Sequence, residues 1–321
     1  MLVVNPNLCF DRTLRVDAFE AGTVSRPSQV QVSAGGKGVN VLRTVRDLGE
    51  SGGLVGFVAE EDGARLLALL DGEGIHTVPV PVAGGVRSAT IILEDSGRAT
   101  VLNEPGPVLG AADLTRLRHV VDEQLAAYGG PLVCSGSLPP GLPVEAYGAL
   151  TETAHAHGVP AIVDAARDAL IATLPYGPDL VSPNLAEAEG IVSGAVTEQV
   201  HAEELDLEEV RKRAVEAAEG LLERGARHAV VTAGAHGAWA AGPGLDVWVD
   251  APPVTVANPI GAGDSFAGGV AVALVRGLDW RDAVAHGIAV ASAAVETVAA
   301  GRVDRARAEQ LAAAVAAGVP R

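Results

Sequence analysis

The sequence predicts an α/β fold, a mostly parallel sheet covered by helices on both faces, with a small antiparallel β lid projecting from it. Three observations lead there. Short β-branched runs alternate with helical patterns along most of the chain, as they do in successive βαβ units. Two polar stretches, at about 12–33 and 86–102, break that alternation. No linker, repeat or low-complexity tract divides the 321 residues, so 1–321 reads as one domain with two lid segments inserted in it.

Met1-Leu2-Val3-Val4 enters a strand at once and lacks the basic start of a targeting segment. Further strands fall at 54–58, 132–135, 161–164 and 229–232, and amphipathic or buried helices at 39–48, 114–127, 144–157 and 207–224. The stretch 12–33 has no helical period and reads as two strands. The stretch 86–102 reads as a hairpin around Glu94-Asp95-Ser96-Gly97. Both are too polar on alternate positions for central strands, and a sheet of that kind could cover a site. The Ala-rich run 266–275 is a buried helix, and the acidic segment 198–219 a solvated helix face.

Composition narrows the function. Hydrophobic residues make up 48% of the chain and aromatics only 3%, so Ala, Val and Leu must fill the core. A formal net charge of −17 argues against nucleic acid or an anionic membrane as partner. It does not exclude a small anionic substrate, because local N–H groups and a few cations dominate at short range. Cys9 and Cys134 form no disulfide framework, and the eight histidines show no metal-ligand spacing. The stretch 288–300 is interrupted by Glu296 and too short to span a bilayer. The expectation is a soluble, cytoplasmic protein.

The strongest chemical signal is Asn258-Pro259-Ile260-Gly261-Ala262-Gly263-Asp264-Ser265-Phe266-Ala267-Gly268, which opens the buried helix. Gly261 and Gly263 let the backbone approach a ligand as no side chain could. Free N–H groups of Gly261, Ala262 and Gly263 would then face an anion, with the helix dipole behind them. Asp264 stands inside that turn. An anion cradle with a base beside it is what phosphoryl transfer needs, although a helix N-cap also explains an aspartate there.

Four other segments place polar residues where open α/β sheets bind ligands, at the carboxyl ends of strands. After the first strand, Asp11 could accept hydrogen bonds from two vicinal sugar hydroxyls, or simply close a turn. Ser33-Ala34-Gly35-Gly36-Lys37-Gly38-Val39-Asn40 leads into a helix, with donors at Lys37 and Asn40. It is not a Walker A loop, because Gly38 stands where Ser or Thr should follow the lysine. Asn184 and Glu187 lie three residues apart at a helix start. They could share one hydrated Mg²⁺ or form a capping box. Thr232-Ala233-Gly234-Ala235-His236-Gly237 offers a flat shelf for a ribose or base, or an ordinary hairpin turn.

In this order, the glycine–lysine turn, the SGSLPPG segment at 135–141, the Asn184–Glu187 pair and the Gly-Ala-Gly-Asp turn resemble the ribokinase-like, or phosphofructokinase B, carbohydrate kinases. The resemblance covers nearly the whole chain. It is nearest to the branch of 1-phosphofructokinase and tagatose-6-phosphate kinase, which GGKGVN and Leu102-Asn103-Glu104-Pro105-Gly106-Pro107 also fit. It implies a ribokinase-like three-layer α/β/α body, ATP and Mg²⁺ as cofactors, and a sugar phosphate as acceptor. By the same resemblance Asp264 is the base, Asp11, Gly35, Gly36, Asn40 and Ser137 meet the sugar, and Lys37 and Arg87 meet its phosphate. Asn184 and Glu187 organise Mg²⁺ with Asp164 in the outer shell, while Asn184, Thr232, Gly234 and Gly237 contact ATP. A homodimer through the lid is a further family-level expectation, and the sequence leaves open whether a monovalent cation such as K⁺ is required near Ala299-Ala300-Gly301.

Four departures cluster around the substrate contacts. Ser182 replaces a lysine, Asp164-Ala165-Ala166-Arg167 replaces Asp-Thr/Ser-Ser-Gly, Ala89 replaces an asparagine after Arg87, and Leu8-Cys9-Phe10 replaces Pro-Ala-Leu. A kinase of an unphosphorylated sugar or nucleoside is therefore the alternative, with Lys37 and Arg87 as bystanders. A non-catalytic sugar-binding regulatory protein is a second alternative, disfavoured by intact Asp264, Asn184 and Glu187. A dinucleotide oxidoreductase is disfavoured because no GxGxxG follows the first strand.

Overall fold

The computed structural model describes residues 1–194 and 206–318. In chain order its strands are β1 (Leu2–Val4), β2 (Cys9–Val16), β3 (Gln29–Gly35), β4 (Gly53–Ala59), β5 (His76–Val82), β6 (Arg87–Glu94), β7 (Ala99–Asn103), β8 (Leu132–Gly136), β9 (Ala161–Ala165), β10 (Leu180–Val181), β11 (Ala229–Thr232), β12 (Ala238–Gly242) and β13 (Leu245–Val249). The α-helices are α1 (Lys37–Asp47), α2 (Gly63–Gly72), α3 (Ala111–Tyr128), α4 (Ala146–Ala156), α5 (Arg167–Thr173), α6 (Leu185–Ser193), α7 (Leu207–Glu223), α8 (Ala262–Val275), α9 (Trp280–Ala294) and α10 (Arg305–Gly318).

The body is a nine-stranded sheet in the order β13-β12-β11-β10-β9-β8-β1-β4-β5. Pairing is parallel from β11 through to β5, and only β12 and β13 run antiparallel to their neighbours. Successive side chains of a strand point to opposite faces, and here both faces are buried. Val3, Val133 and Ile162 enter a core shared with α1, α2, α8, α9 and α10. Their neighbours Leu2, Val4, Leu132, Cys134, Ala161 and Val163 enter a second core under α3 to α7. The result is the expected three-layer body. At the β5 edge, Pro79 and Pro81 lack the N–H that another strand would need.

The two lid stretches meet in a four-stranded sheet ordered β3-β2-β6-β7. Its outer pairs are antiparallel as expected, but the central pair β2–β6 is parallel, because the two stretches enter the lid from the same end. That register sets Arg87 beside Cys9 and Ala89 beside Asp11. Part of the acidic segment, 198–205, lies outside the described residues. Beyond it, Asp206 caps α7 by accepting from Glu209 N at 3.0 Å, and Glu208, Glu209, Glu216 and Glu219 are exposed.

Candidate active site

The first turn of α8 is built by two glycines used differently. Gly261 has φ of 86°, left-handed backbone that suits glycine, and a Cβ there would stand 3.1 Å from Gly301 N. A Cβ on Gly263 would meet nothing within 4 Å, so open space lies in front of the helix start. Asp264 follows, 5% exposed, and accepts a hydrogen bond from Asn40 Nδ2 at 2.8 Å. Burial pushes its carboxyl up, repulsion from Asp164 adds to that, and Lys37 and the Asn40 bond oppose it. The net is about 7.

Asn40 and Lys37 come from the first turn of α1. That turn is supported from below by Asn5, whose Oδ1 accepts from Gly38 N at 3.0 Å. Gly36, with φ of 122°, has no room for a Cβ above the same Asn5 oxygen. The Lys37 ammonium donates to both oxygens of Asp164, at 3.1 and 3.3 Å. Burial alone would pull its pKa down, but Asp164 and Asp264 outweigh burial and hold it above the ordinary lysine range, with Glu187 adding. Lys37 is one of two lysines among 23 cationic residues in the chain, the other being Lys212.

On the lid side, Asp11 lies so close to Gly35 that a Cβ on that glycine would overlap its carboxylate. Burial raises the Asp11 pKa, against the Cys9 thiol, which donates to Oδ1 at 3.4 Å, and the charges of Arg43 and Arg87. Arg87 Nε and Nη2 both donate to the Asn7 carbonyl, at 3.0 and 2.9 Å, and Nη1 reaches Glu104 O at 3.4 Å. No carboxylate lies within ion-pair distance of this guanidinium among the described residues, and the nearby Asp11 charge acts on it. Ser137 Oγ accepts from Asn7 Nδ2 at 3.1 Å, which ties the SGSLPPG segment to the same corner.

Lys37 and Arg87, expected to face one phosphate, are therefore tied to different partners. Lys37 belongs with Asp164, Asp264 and Glu187, Arg87 with Asp11 and Asn7. Asn184 and Glu187 form the capping box, each side chain accepting from the other's backbone N–H at 2.9 and 3.0 Å. Asn184 also bridges to Thr232, so the pair adjoins the shelf. Within that shelf, Gly234 starts a short 3₁₀ turn, whereas Gly237 is demanded by packing, since a Cβ would overlap the Val249 carbonyl.

Several buried polar atoms at the carboxyl ends of strands have no hydrogen-bond partner among the described residues: Asn7 Oδ1, Ser135 Oγ and Ser182 Oγ. Burying such groups unpaired costs free energy unless a ligand satisfies them. The sequence places Asn5, Asn7 and Ser182 in candidate site segments without giving them individual roles. For Mg²⁺ the oxygen donors of Asn184, Glu187 and Asp164 are chemically suitable. Among the described residues no three acidic, His or Cys side chains enclose a metal, so the ion would keep most of its waters.

The chain resembles known proteins in sequence and in fold. The pattern of the pfkB family carbohydrate kinases matches residues 3–306. A 1-phosphofructokinase of Rhodobacter capsulatus is 32% identical over 278 residues, 86% of this chain and 84% of that one. Phosphofructokinase-2 of Escherichia coli in complex with potassium superposes with a TM-score of 0.85 at 25% identity, covering 98% of this chain and 99% of that one. The same enzyme in complex with fructose-6-phosphate gives 0.82 at 26% identity, with the same coverage of 98% and 99%.

Proposed function

The chain belongs to the pfkB family of carbohydrate kinases, and from that premise we propose that it transfers the γ-phosphoryl group of ATP to a ketohexose phosphate. Fructose 1-phosphate or tagatose 6-phosphate is the acceptor, and the 1,6-bisphosphate is the product. The observation that carries the phosphorylated acceptor is Arg87. It is fixed by backbone carbonyls beside Asp11, and among the described residues no carboxylate forms an ion pair with it.

Asp11 accepts hydrogen bonds from two sugar hydroxyls, with Gly35, Gly36, Asn40 and Ser137 lining the acceptor. The primary hydroxyl points at Asp264, which takes its proton as the oxygen attacks in line. The backbone N–H groups of Gly261 and Gly263 receive negative charge on the transferring group, while Ala262 N–H, expected to join them, instead donates to Pro259 O at 3.3 Å. Lys37 faces the transferring group from the other side. This moves Lys37 from the acceptor's phosphate to the phosphoryl group in transit. ATP lies along Thr232, Gly234 and Gly237. Mg²⁺, held through Asn184 and Glu187 with Asp164 outside, would screen the phosphate charge. Every other contribution is positioning by this chain's own groups.

The lid excludes water and limits hydrolysis of ATP. It also offers a homodimer contact, because β3 and β7 are free edges and Val30, Val101 and Leu102 are exposed along them. Residues 1–321 act as one domain, in the cytoplasm. Among the described residues no helix is long and apolar enough to cross a membrane. A potassium ion near the turn 299–301 would meet carbonyls of the right chemistry. Val298, Ala299 and Gly301 already accept protein donors, and we assign K⁺ no step.

The test is ADP release with Mg·ATP across fructose 1-phosphate, tagatose 6-phosphate, fructose 6-phosphate, fructose, ribose and adenosine. A clear preference for one of the first two is expected. Turnover of an unphosphorylated acceptor alone would remove the phosphate role of Arg87 while keeping Asp264 as base.

A further inference from the structure

Behind Asn40 lies a connected set of groups that none of the expected site residues includes. Arg43 follows Asn40 by three residues on α1, so the two share a face of the helix. Its guanidinium is buried and makes four hydrogen bonds. Nη1 donates to Asn40 Oδ1 at 2.9 Å, and Nη2 donates to the Ala34 carbonyl at 2.8 Å. Nε and Nη2 grip the Glu73 carboxylate at the end of α2, both at 2.6 Å.

The consequence follows from donor chemistry. Arginine has five donors and no acceptor. Asn40 must therefore turn its oxygen toward Arg43, and its NH₂ is left facing Asp264, where the 2.8 Å bond is found. A flipped amide would set two oxygens against each other at the base. The second contact reaches β3 at Ala34, the residue before Gly35, against which Asp11 lies. The Arg43 charge also acts on Asp11 itself. One guanidinium thus touches both halves of the site without meeting either substrate.

We infer that Arg43, anchored by Glu73, is a positioning residue. It locks the Asn40 amide as the donor to Asp264 and joins that lock to β3, whose Gly35 packs against Asp11. Lysine cannot replace it, because an ammonium lacks the planar fork that serves three partners at once. The inference rests on Asp264 being the base of the proposed transfer.

The experiment is a cycle of Arg43→Lys, Asn40→Ala and the double variant, with Glu73→Gln as a milder release of the anchor. Arg43→Lys is expected to lower kcat about tenfold, the scale of one hydrogen bond to a charged group, while the KM for ATP stays within twofold or so of wild type. In the Asn40→Ala background that loss is expected to vanish, because Arg43 acts through Asn40. Losses that multiply in the double variant would overturn the inference, as would an unchanged kcat in Arg43→Lys. If Arg43→Lys does not fold, Glu73→Gln carries the same comparison at about threefold. Asparagine-selective ¹⁵N labelling reads the Asn40 side-chain amide with no acceptor present, so it stands even if the acceptor assignment fails. The amide signal should move in Arg43→Lys, and an unmoved signal refutes the lock.

Discussion

Replacing Gly35 by alanine isolates the acceptor contact from the rest of the site. The backbone at Gly35 is an ordinary strand conformation rather than left-handed, so alanine is tolerated by the chain itself. The nearest obstacle is Asp11. The new methyl would stand 2.6 Å from Oδ2 and closer still to Cγ and Oδ1, where van der Waals contact begins near 3.4 Å. The carboxylate must therefore withdraw by roughly 1 Å, and hydrogen bonds weaken steeply over that range. Two bonds to a charged acceptor are worth about 1.5–3 kcal/mol each. Losing them in part should lower kcat/KM for the sugar by about 10²–10³-fold. The KM for ATP and the melting temperature should hardly change. Initial rates at saturating Mg·ATP and a thermal melt read all three quantities. A variant within threefold of wild type on the acceptor would show that Asp11 does not bind it.

The raised pKa of Asp264, about 7, makes activity and stability run in opposite directions with pH. A base must be ionised, so kcat/KM should rise as pH passes through about 7. Relative to an unfolded value of about 3.9, the raised group stabilises the fold below pH ~4, and that contribution is lost as pH climbs through its folded pKa. Melting curves at pH 5 and 8 should accordingly show Asp264→Asn gaining on wild type at the higher pH; an equal gap at both would contradict the burial of this charge. Arg87→Gln should lower kcat/KM for a sugar phosphate by about 10–100-fold, the scale of a charge-assisted contact, and leave fructose unaffected; equal losses on both would make Arg87 structural. Glu187→Ala removes half of the capping box and should cost about 1 kcal/mol of stability, while raising the Mg²⁺ concentration needed for half-maximal rate. Loss of stability with an unchanged Mg²⁺ requirement would leave Glu187 only its capping role.

The elements readable in the sequence are those whose periodicity has a single cause. β8 and β9 are buried on both faces and appear as continuous apolar runs. β5 escaped because Pro79 and Pro81 interrupt its pattern, and only its place at the sheet edge explains them. β10 spans two residues and leaves no periodic trace. Within the site, Gly261, Asp264, Lys37 and Asn40 could be singled out because local backbone demands concentrate there. Their partners could not. Lys37 meets Asp164 across 127 residues, and Arg43 meets Glu73 across 30, contacts that exist only once the sheet order is known. Arg43 beside Asn40 on one helical face was nonetheless within reach of a spacing argument. The Gly237 case runs the other way, since a glycine suited to a nucleotide shelf is required by the neighbouring strand.

The most direct test of the phosphoryl-transfer site is single-turnover kinetics of Asp264→Asn with Mg·ATP and the preferred acceptor. A general base contributes about 10²–10⁴-fold. The predicted result is a drop of that size in the chemical step with ATP and acceptor binding retained. A variant that transfers phosphate within a few-fold of the wild-type rate would show that another group takes the proton, and that the α8 turn serves some other end.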